Sequence, residues 1–252
     1  MSTSDIWSAC LTGASPSLLT GRVFRVVESQ EKVATNELVE TLAEQALLEE
    51  MLDTTKPAIP AGAQDLSYLL FTPFRYPPLK YGSRFGRRFE PSLFYGSRTI
   101  ETALAETAYY RLHFWFDMAQ PPPMGQIKTQ HTAFTAEIKT DKGLKLQAAP
   151  FAKYATQLTS KSSYHATQAL GSIMREHDIE AFEYTSARDK SKGLNVGIFS
   201  PAAFKSKKAT STMNIFCSTK DSGVEFLDND GHVYLYQHET FLEKGEFPKL
   251  SA

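Results

Sequence analysis

Between Tyr81 and Thr107 the chain gathers guanidinium, phenol and carboxylate side chains into one short stretch. Arg84, Arg87 and Arg88 crowd a segment with no acid before Glu90, and Arg98 follows. An aromatic-rich run ends at Tyr95, and Glu106 comes 11 residues later. Guanidinium groups suit planar, bidentate binding of phosphate oxygens. A phenol offers a stacking face with a polar tip. A carboxylate can stabilise positive charge that develops on a sugar. Together these are the groups needed to hold a dinucleotide and break a bond to its ribose.

Recognisable elements must position them. Gly21 to Ser29 reads as a strand, with Val23, Arg25 and Val27 on one face. Thr35 or Asn36 is placed to cap a helix whose Val39, Leu42, Ala43, Ala46 and Leu47 form a core-facing stripe. Leu66 to Phe71 fits either a strand or a helical turn. Thr72 to Gly86 carries three prolines and two glycines and reads as a long loop bearing Arg75, Lys80 and Arg84. Ser92 to Gly96 reads as a strand. Thr99 then caps a helix from about Ile100 to Arg111, with Glu106 near the rim of its buried stripe. A strand from Gln126 to Ile138 and a helix over 163–177 follow. Strands are expected from Ile179, over Leu194 to Phe199, and at three further runs. Asp228 to Gly231 marks a hairpin turn between the last two. The whole is an α+β arrangement with non-local strand pairing. It divides into a polar leader over 1–20, a main domain over 21–204 with a helical insertion at about 35–71, and a strand-rich extension over 205–252.

Composition narrows the function classes. The 252 residues are 42 % hydrophobic and 22 % charged, with a formal net charge of −1. That balance is the one found in soluble globular proteins and argues against a general nucleic-acid or membrane-surface binder. Electrostatic specificity must then come from local clusters, and the arginine-rich loop is the clearest. The two cysteines, Cys10 and Cys217, lie far apart and suit free thiols in a reducing cytosol. No signal peptide or transmembrane segment is legible, so the expected location is cytoplasmic. The six histidines form no metal-ligand spacing, and no metal is expected. No G-x-S-x-G, P-loop or Rossmann fingerprint occurs.

Taken singly, each candidate has an ordinary explanation: a solvated basic loop, a core tyrosine, a surface glutamate, a turn serine. The joint pattern is more specific. Phe24-Arg-Val-Val, Gly82-Ser-Arg-Phe-Gly-Arg-Arg, Leu93-Phe-Tyr followed by Glu101-Thr-Ala-Leu-Ala-Glu, and Tyr184-Thr-Ser-Ala-Arg before Asn195-Val-Gly-Ile-Phe together resemble the RES-domain family. That family is named for an arginine, a glutamate and a serine, and looks like the toxin half of bacterial toxin–antitoxin pairs with Xre-type antitoxins.

The resemblance implies a fold similar to ADP-ribosyltransferase toxins and chemistry on NAD⁺ as substrate, without a metal. Carried over, Glu106, Arg84, Tyr95 and Ser186 would be catalytic, and Arg25, Arg84, Arg88, Arg75, Tyr95 and Ser186 would bind NAD⁺. Arg84 and Arg88 both qualify as the second family arginine, and Arg25 and Arg75 as the first. The implied activity is cleavage of the nicotinamide–ribose bond, with water, phosphate or a protein side chain as acceptor. These alternatives correspond to a glycohydrolase, a phosphorylase and an ADP-ribosyltransferase. A non-catalytic phosphate- or partner-binding module is the reading from another class. The implied partners are an Xre-type antitoxin and a second copy of the chain, as a homodimer or toxin–antitoxin hetero-oligomer, with no membrane and no nucleic acid.

Overall fold

The structure, a computed structural model, describes residues 3–29 and 39–248. Helix α1 (Thr3–Thr12) precedes strand β1 (Ser17–Glu28), and helices α2 (Leu42–Thr55) and α3 (Tyr68–Arg75) follow. Then come β2 (Phe94–Ser97), α4 (Ile100–Asp117), β3 (Ile127–Lys145), α5 (Ala155–Leu158) and α6 (His165–Glu176). The chain closes with β4 (Ala181–Thr185), β5 (Leu194–Ile198), β6 (Ser211–Lys220), β7 (Gly223–Asp228) and β8 (Val233–Gln237).

The eight strands among the described residues join one mixed sheet in the order β1-β2-β5-β4-β3-β6-β7-β8. The β3–β4 pair is parallel and the other pairs are antiparallel. The 19-residue β3 does the organising. It pairs with β1 from Ser17↔Gly143 to Glu28↔His131, with β4 at its C-terminal end, and with β6 over Ile127 to Thr135. Because β1 also pairs with β2, the strands β1, β2, β5, β4 and β3 form a closed circuit of pairings. Strands β6 to β8, within the 205–252 stretch, continue the same sheet.

Strand alternation divides the core. Val23, Phe94, Phe134, Ala181 and Val196 share one face with Leu70 and Phe74 of α3. On the opposite face, Phe182 and Tyr184 pack with Phe85, Leu170 and Met174. Leu104, Ala108 and Leu112 of α4 cover Ile215, Val224 and Phe226. The face covered by α4 and α6 is the one that carries the candidate site.

Three expectations change. The N-terminal stretch is not a polar leader, since it forms α1, where Trp7 is 1 % exposed and its Nε1 donates to the Ala166 carbonyl at 2.9 Å. The expected cap at Thr35 or Asn36 lies outside the described residues. The helix begins at Leu42, and its apolar stripe does not face the core, because Leu42, Leu47 and Met51 are exposed. Helical periodicity reports amphipathicity and not which surface covers it. Finally, regular structure runs into the proline-rich segment: α3 continues to Arg75 with Pro73 inside it. Its Leu70 and Phe74, four apart, are both buried, and that burial outweighs the hydrogen bond lost at proline.

Trp7→Ala is expected to lower the unfolding free energy by about 3–5 kcal/mol, the usual cost of emptying a buried tryptophan site. Urea titration followed by circular dichroism checks this; a loss under 1 kcal/mol would restore the leader to a dispensable role.

Candidate active site

Glu106 is presented by α4. Thr99 accepts a hydrogen bond from the Thr102 N–H at 3.3 Å, capping the helix, and the Thr102 hydroxyl donates to Asp189 Oδ2 at 2.8 Å. This ties the start of α4 to the loop between β4 and β5. One turn further on, half-buried Glu106 meets two donors on the same oxygen. The Ser186 hydroxyl and Asn195 Nδ2 both donate to Glu106 Oε1, each at 2.6 Å. Ser186 is fully buried, and its Oγ accepts from the backbone N–H groups of Arg188 (3.0 Å) and Asp189 (2.9 Å). With its lone pairs so occupied, the hydroxyl proton points at the carboxylate. Such charge-assisted bonds are the strong ones.

Arg84 reaches the same face from a loop built around glycine. Gly82 has a φ of 71°, and a Cβ there would sit 2.3 Å from the Gly86 carbonyl oxygen, so only glycine fits. The loop is latched to α6 by Gln168 Nε2, which donates to the carbonyls of Tyr81 (3.0 Å) and Ser83 (3.1 Å). It is latched to β2 by Tyr95, whose hydroxyl accepts from the Phe85 N–H at 2.9 Å and lies 2.9 Å from Ser83 Oγ. Arg84 is only 6 % exposed; its Nη1 donates to the Ser160 carbonyl at 2.8 Å, and its guanidinium lies 4.7 Å from the Tyr164 ring centroid. Burial works to lower its pKa and the Glu106 carboxylate works to raise it, and the net shift is upward. A guanidinium keeps its proton at any ordinary pH, so this buried charge is a constant feature of the site.

Residues that the sequence did not single out complete the arrangement. Arg188 is buried, with its guanidinium carbon 3.5 Å from the Tyr109 ring centroid and Nη2 donating to the Lys161 carbonyl at 2.7 Å. Asn195 was visible only as part of a strand. Tyr109, Tyr110, Tyr164 and Tyr184 surround the two arginines, and in sequence each looks like an ordinary core aromatic. The one signal that pointed to Arg188 was its place two residues past Ser186.

The other predicted residues lie elsewhere. Arg25 is on the opposite face of the sheet, since its guanidinium stacks 4.9 Å over Phe94 and its Nη1 donates to the Tyr95 carbonyl at 2.7 Å. Burial pushes it down to about 10. Strand alternation separates it from the Tyr95 side chain, so it braces β2 rather than joining Glu106. Arg75 donates to the Pro57 carbonyl and lies over Phe71 on α3, also away from Glu106. Arg88 is exposed at the loop tip beside Phe89, so Arg84 is the loop arginine that joins the site. Arg98 is paired with Glu183 at 2.6 Å. Asp228, Asp230 and His232 bring ligand-type atoms within 4.8 Å of one another, but Asp228 Oδ1 already accepts the N–H groups of Asp230 and His232, as a hairpin turn requires.

A family model of the RES domain matches residues 59–216. The chain belongs to the RES-domain family. The matched span holds Arg84, Tyr95, Glu106 and Ser186, the four residues brought to one face, and starts beyond Arg25. A search of curated proteins finds no match to the chain. No helix among the described residues is long and apolar enough to cross a membrane.

Buried phenols give the RES domain a pH signature. Burial pushes Tyr95 up to about 12 and Tyr109 likewise to about 12. Unfolded tyrosines ionise near pH 10, so above that pH the unfolded chain has lost protons that the folded one keeps, and stability falls as pH rises. Urea midpoints are expected to drop from pH about 10 towards 12, with a shallower drop in Tyr95→Phe. Equal slopes in the two proteins would contradict the assignment.

Proposed function

We propose that this RES-domain protein is an enzyme that cleaves the nicotinamide–ribose bond of NAD⁺ and acts as a toxin by depleting it. The observation that carries the reading is the half-buried Glu106 carboxylate, fixed through Oε1 by Ser186 and Asn195 on the face where Arg84 is buried. Among the described residues its Oε2 takes no hydrogen bond from the protein, which leaves one anionic oxygen to face a ligand.

The chemistry suits such a group. When the C1′–N bond breaks, the electron pair leaves with nicotinamide, which departs neutral, so no general acid is required. The cost lies in the oxocarbenium-like ribose, as in glycoside hydrolysis. Glu106 stabilises that cation and hydrogen-bonds the ribose hydroxyls. Arg84 supplies positive charge for the pyrophosphate. Tyr95 packs against the nicotinamide end and holds the arginine loop, and Ser186 orients the carboxylate. An acceptor then attacks C1′: water loses a proton to solvent in a glycohydrolase, inorganic phosphate gives a phosphorylase, and a protein side chain gives an ADP-ribosyltransferase.

The same reading places the chain in the fold class of ADP-ribosyltransferase-like toxins and in the cytosol, where the buried thiols Cys10 and Cys217 stay reduced. Its partners are an Xre-type antitoxin that blocks the arginine-lined face and a second copy of the chain.

Incubating the protein with NAD⁺, with and without phosphate, and identifying products by mass tests the proposal. Nicotinamide release is expected, and the mass of the other product names the acceptor. Glu106→Gln is expected to slow release by roughly 10²–10³ or more while leaving the melting curve in place. Intact NAD⁺ after prolonged incubation with the wild type would favour a binding module instead.

A further inference from the structure

We infer that Asn195 and Ser97 form a positioning relay that fixes the plane of the Glu106 carboxylate and so holds one of its oxygens towards the substrate. The inference rests on the reading of Glu106 as the carboxylate that meets the ribose, and adds residues to which that reading gives no role.

The strand register creates the relay. Ser97 on β2 pairs directly with Asn195 on β5, and Asn195 pairs with Tyr184 on β4, so all three side chains lie on the site face. Ser97 is 3 % exposed and Asn195 is 2 % exposed. The Ser97 hydroxyl donates to Asn195 Oδ1 at 2.7 Å, and Asn195 Nδ2 donates to Glu106 Oε1 at 2.6 Å.

Chemistry fixes the direction of each bond. An ionised carboxylate only accepts, so the amide must turn its NH₂ towards Glu106. Its oxygen then faces Ser97, whose hydroxyl must donate. The amide cannot flip without opposing Oδ1 to the carboxylate and leaving a buried serine donor without an acceptor, which costs the desolvation of both groups. Ser186 alone would let the carboxylate swing about its one bond. Two donors on one oxygen, from the loop after β4 and from β5, define its plane. Asn195 is thus a positioning residue and not a catalytic one.

Substitution at position 195 separates positioning from packing. Asparagine and aspartate are nearly isosteric, but Asn195→Asp sets a second acid against Glu106. Two carboxylates sharing a site cannot both ionise freely. The other ionisable groups around Glu106 are Arg84 on the loop, Arg188 and Asp189 after β4, Tyr109 and Tyr110 on α4, Tyr164 ahead of α6 and Tyr184 on β4, with the Asp189 carboxylate held by the Thr102 hydroxyl and the Gly193 N–H. Phenols ionise only at about pH 10, and those of Tyr109, Tyr110 and Tyr184 are shifted further upward, so all three are neutral at ordinary pH. The new acid is therefore what moves the profile.

The experiment measures kcat, KM and the pH profile of NAD⁺ consumption for the wild type, Asn195→Ala, Asn195→Asp and Ser97→Ala, with melting curves for each. Asn195→Ala is expected to lower kcat by about 10- to 100-fold, the loss of one charge-assisted hydrogen bond, with KM little changed. Asn195→Asp is expected to shift the acid limb of kcat to higher pH. Ser97→Ala, which keeps the amide, is expected to lower kcat less than Asn195→Ala. Folded Asn195→Asp protein with wild-type kcat and acid limb would overturn the relay while leaving the proposed activity standing. Should the wild type leave NAD⁺ intact, the activity itself falls. A crystal structure of Asn195→Ala then decides the relay alone: a rotated Glu106 carboxylate supports it, and an unmoved one overturns it.

Discussion

A half-buried carboxylate is stable only where donors replace the water it has lost. Glu106 obtains those donors from Ser186 and Asn195, 80 and 89 residues further along the chain. Much of the architecture can be read as the means of bringing them there. Strand β5 must lie beside β2 and β4 for Asn195 to face α4, and the loop after β4 must fold back on itself for Ser186 to donate. The Asp189–Thr102 bond clamps that loop to the helix that carries the acid. Losing one of the two donors leaves the carboxylate held by a single bond and poorly oriented, so the strand order that builds the fold also sets the site.

The positive side of the site is built with similar economy. The backbone around residues 158–161 accepts from both arginines, Arg84 at Ser160 and Arg188 at Lys161. The Lys161 ammonium then donates to the carbonyls of Thr240 (3.2 Å) and Leu242 (3.1 Å). Through that one lysine the segment after β8 braces the backbone on which both guanidinium groups rest. The C-terminal strands lie next to α4 as well, and Tyr236 donates to the Glu101 carbonyl at 2.7 Å. The tail thus supports the site from two directions.

Much of this was legible in sequence because local signals and tertiary demands agree. The Thr99 cap, the run from Ile100 and the turn at 228–231 mark elements that form where their residue types place them. Glu106, Arg84, Tyr95 and Ser186 were legible as a set only through the motifs that resemble the RES-domain family, since each alone has an ordinary explanation. What stayed hidden depends on which side of a strand a residue faces and what lies across it. Arg25 stood as a dinucleotide ligand through the resemblance alone, yet strand alternation turns it to the Phe94 side. The helix from Leu42 has the period of a buried helix and no apolar surface over Leu42 or Leu47. Pro73 looked like a helix breaker until the burial of Leu70 and Phe74 was known. Asn195 and Arg188 stood inside the quoted motifs without a role, since an asparagine in a strand and an arginine in a loop gain meaning only from non-local partners.

The central claim is that Glu106 and Arg84 share one dinucleotide pocket. A crystal structure of Glu106→Gln soaked with NAD⁺ tests it most directly. The nicotinamide ribose is expected within hydrogen-bond distance of residue 106, about 3 Å, with the pyrophosphate on the Arg84 side of the same face. A dinucleotide seated elsewhere, with position 106 in contact only with solvent, would contradict it.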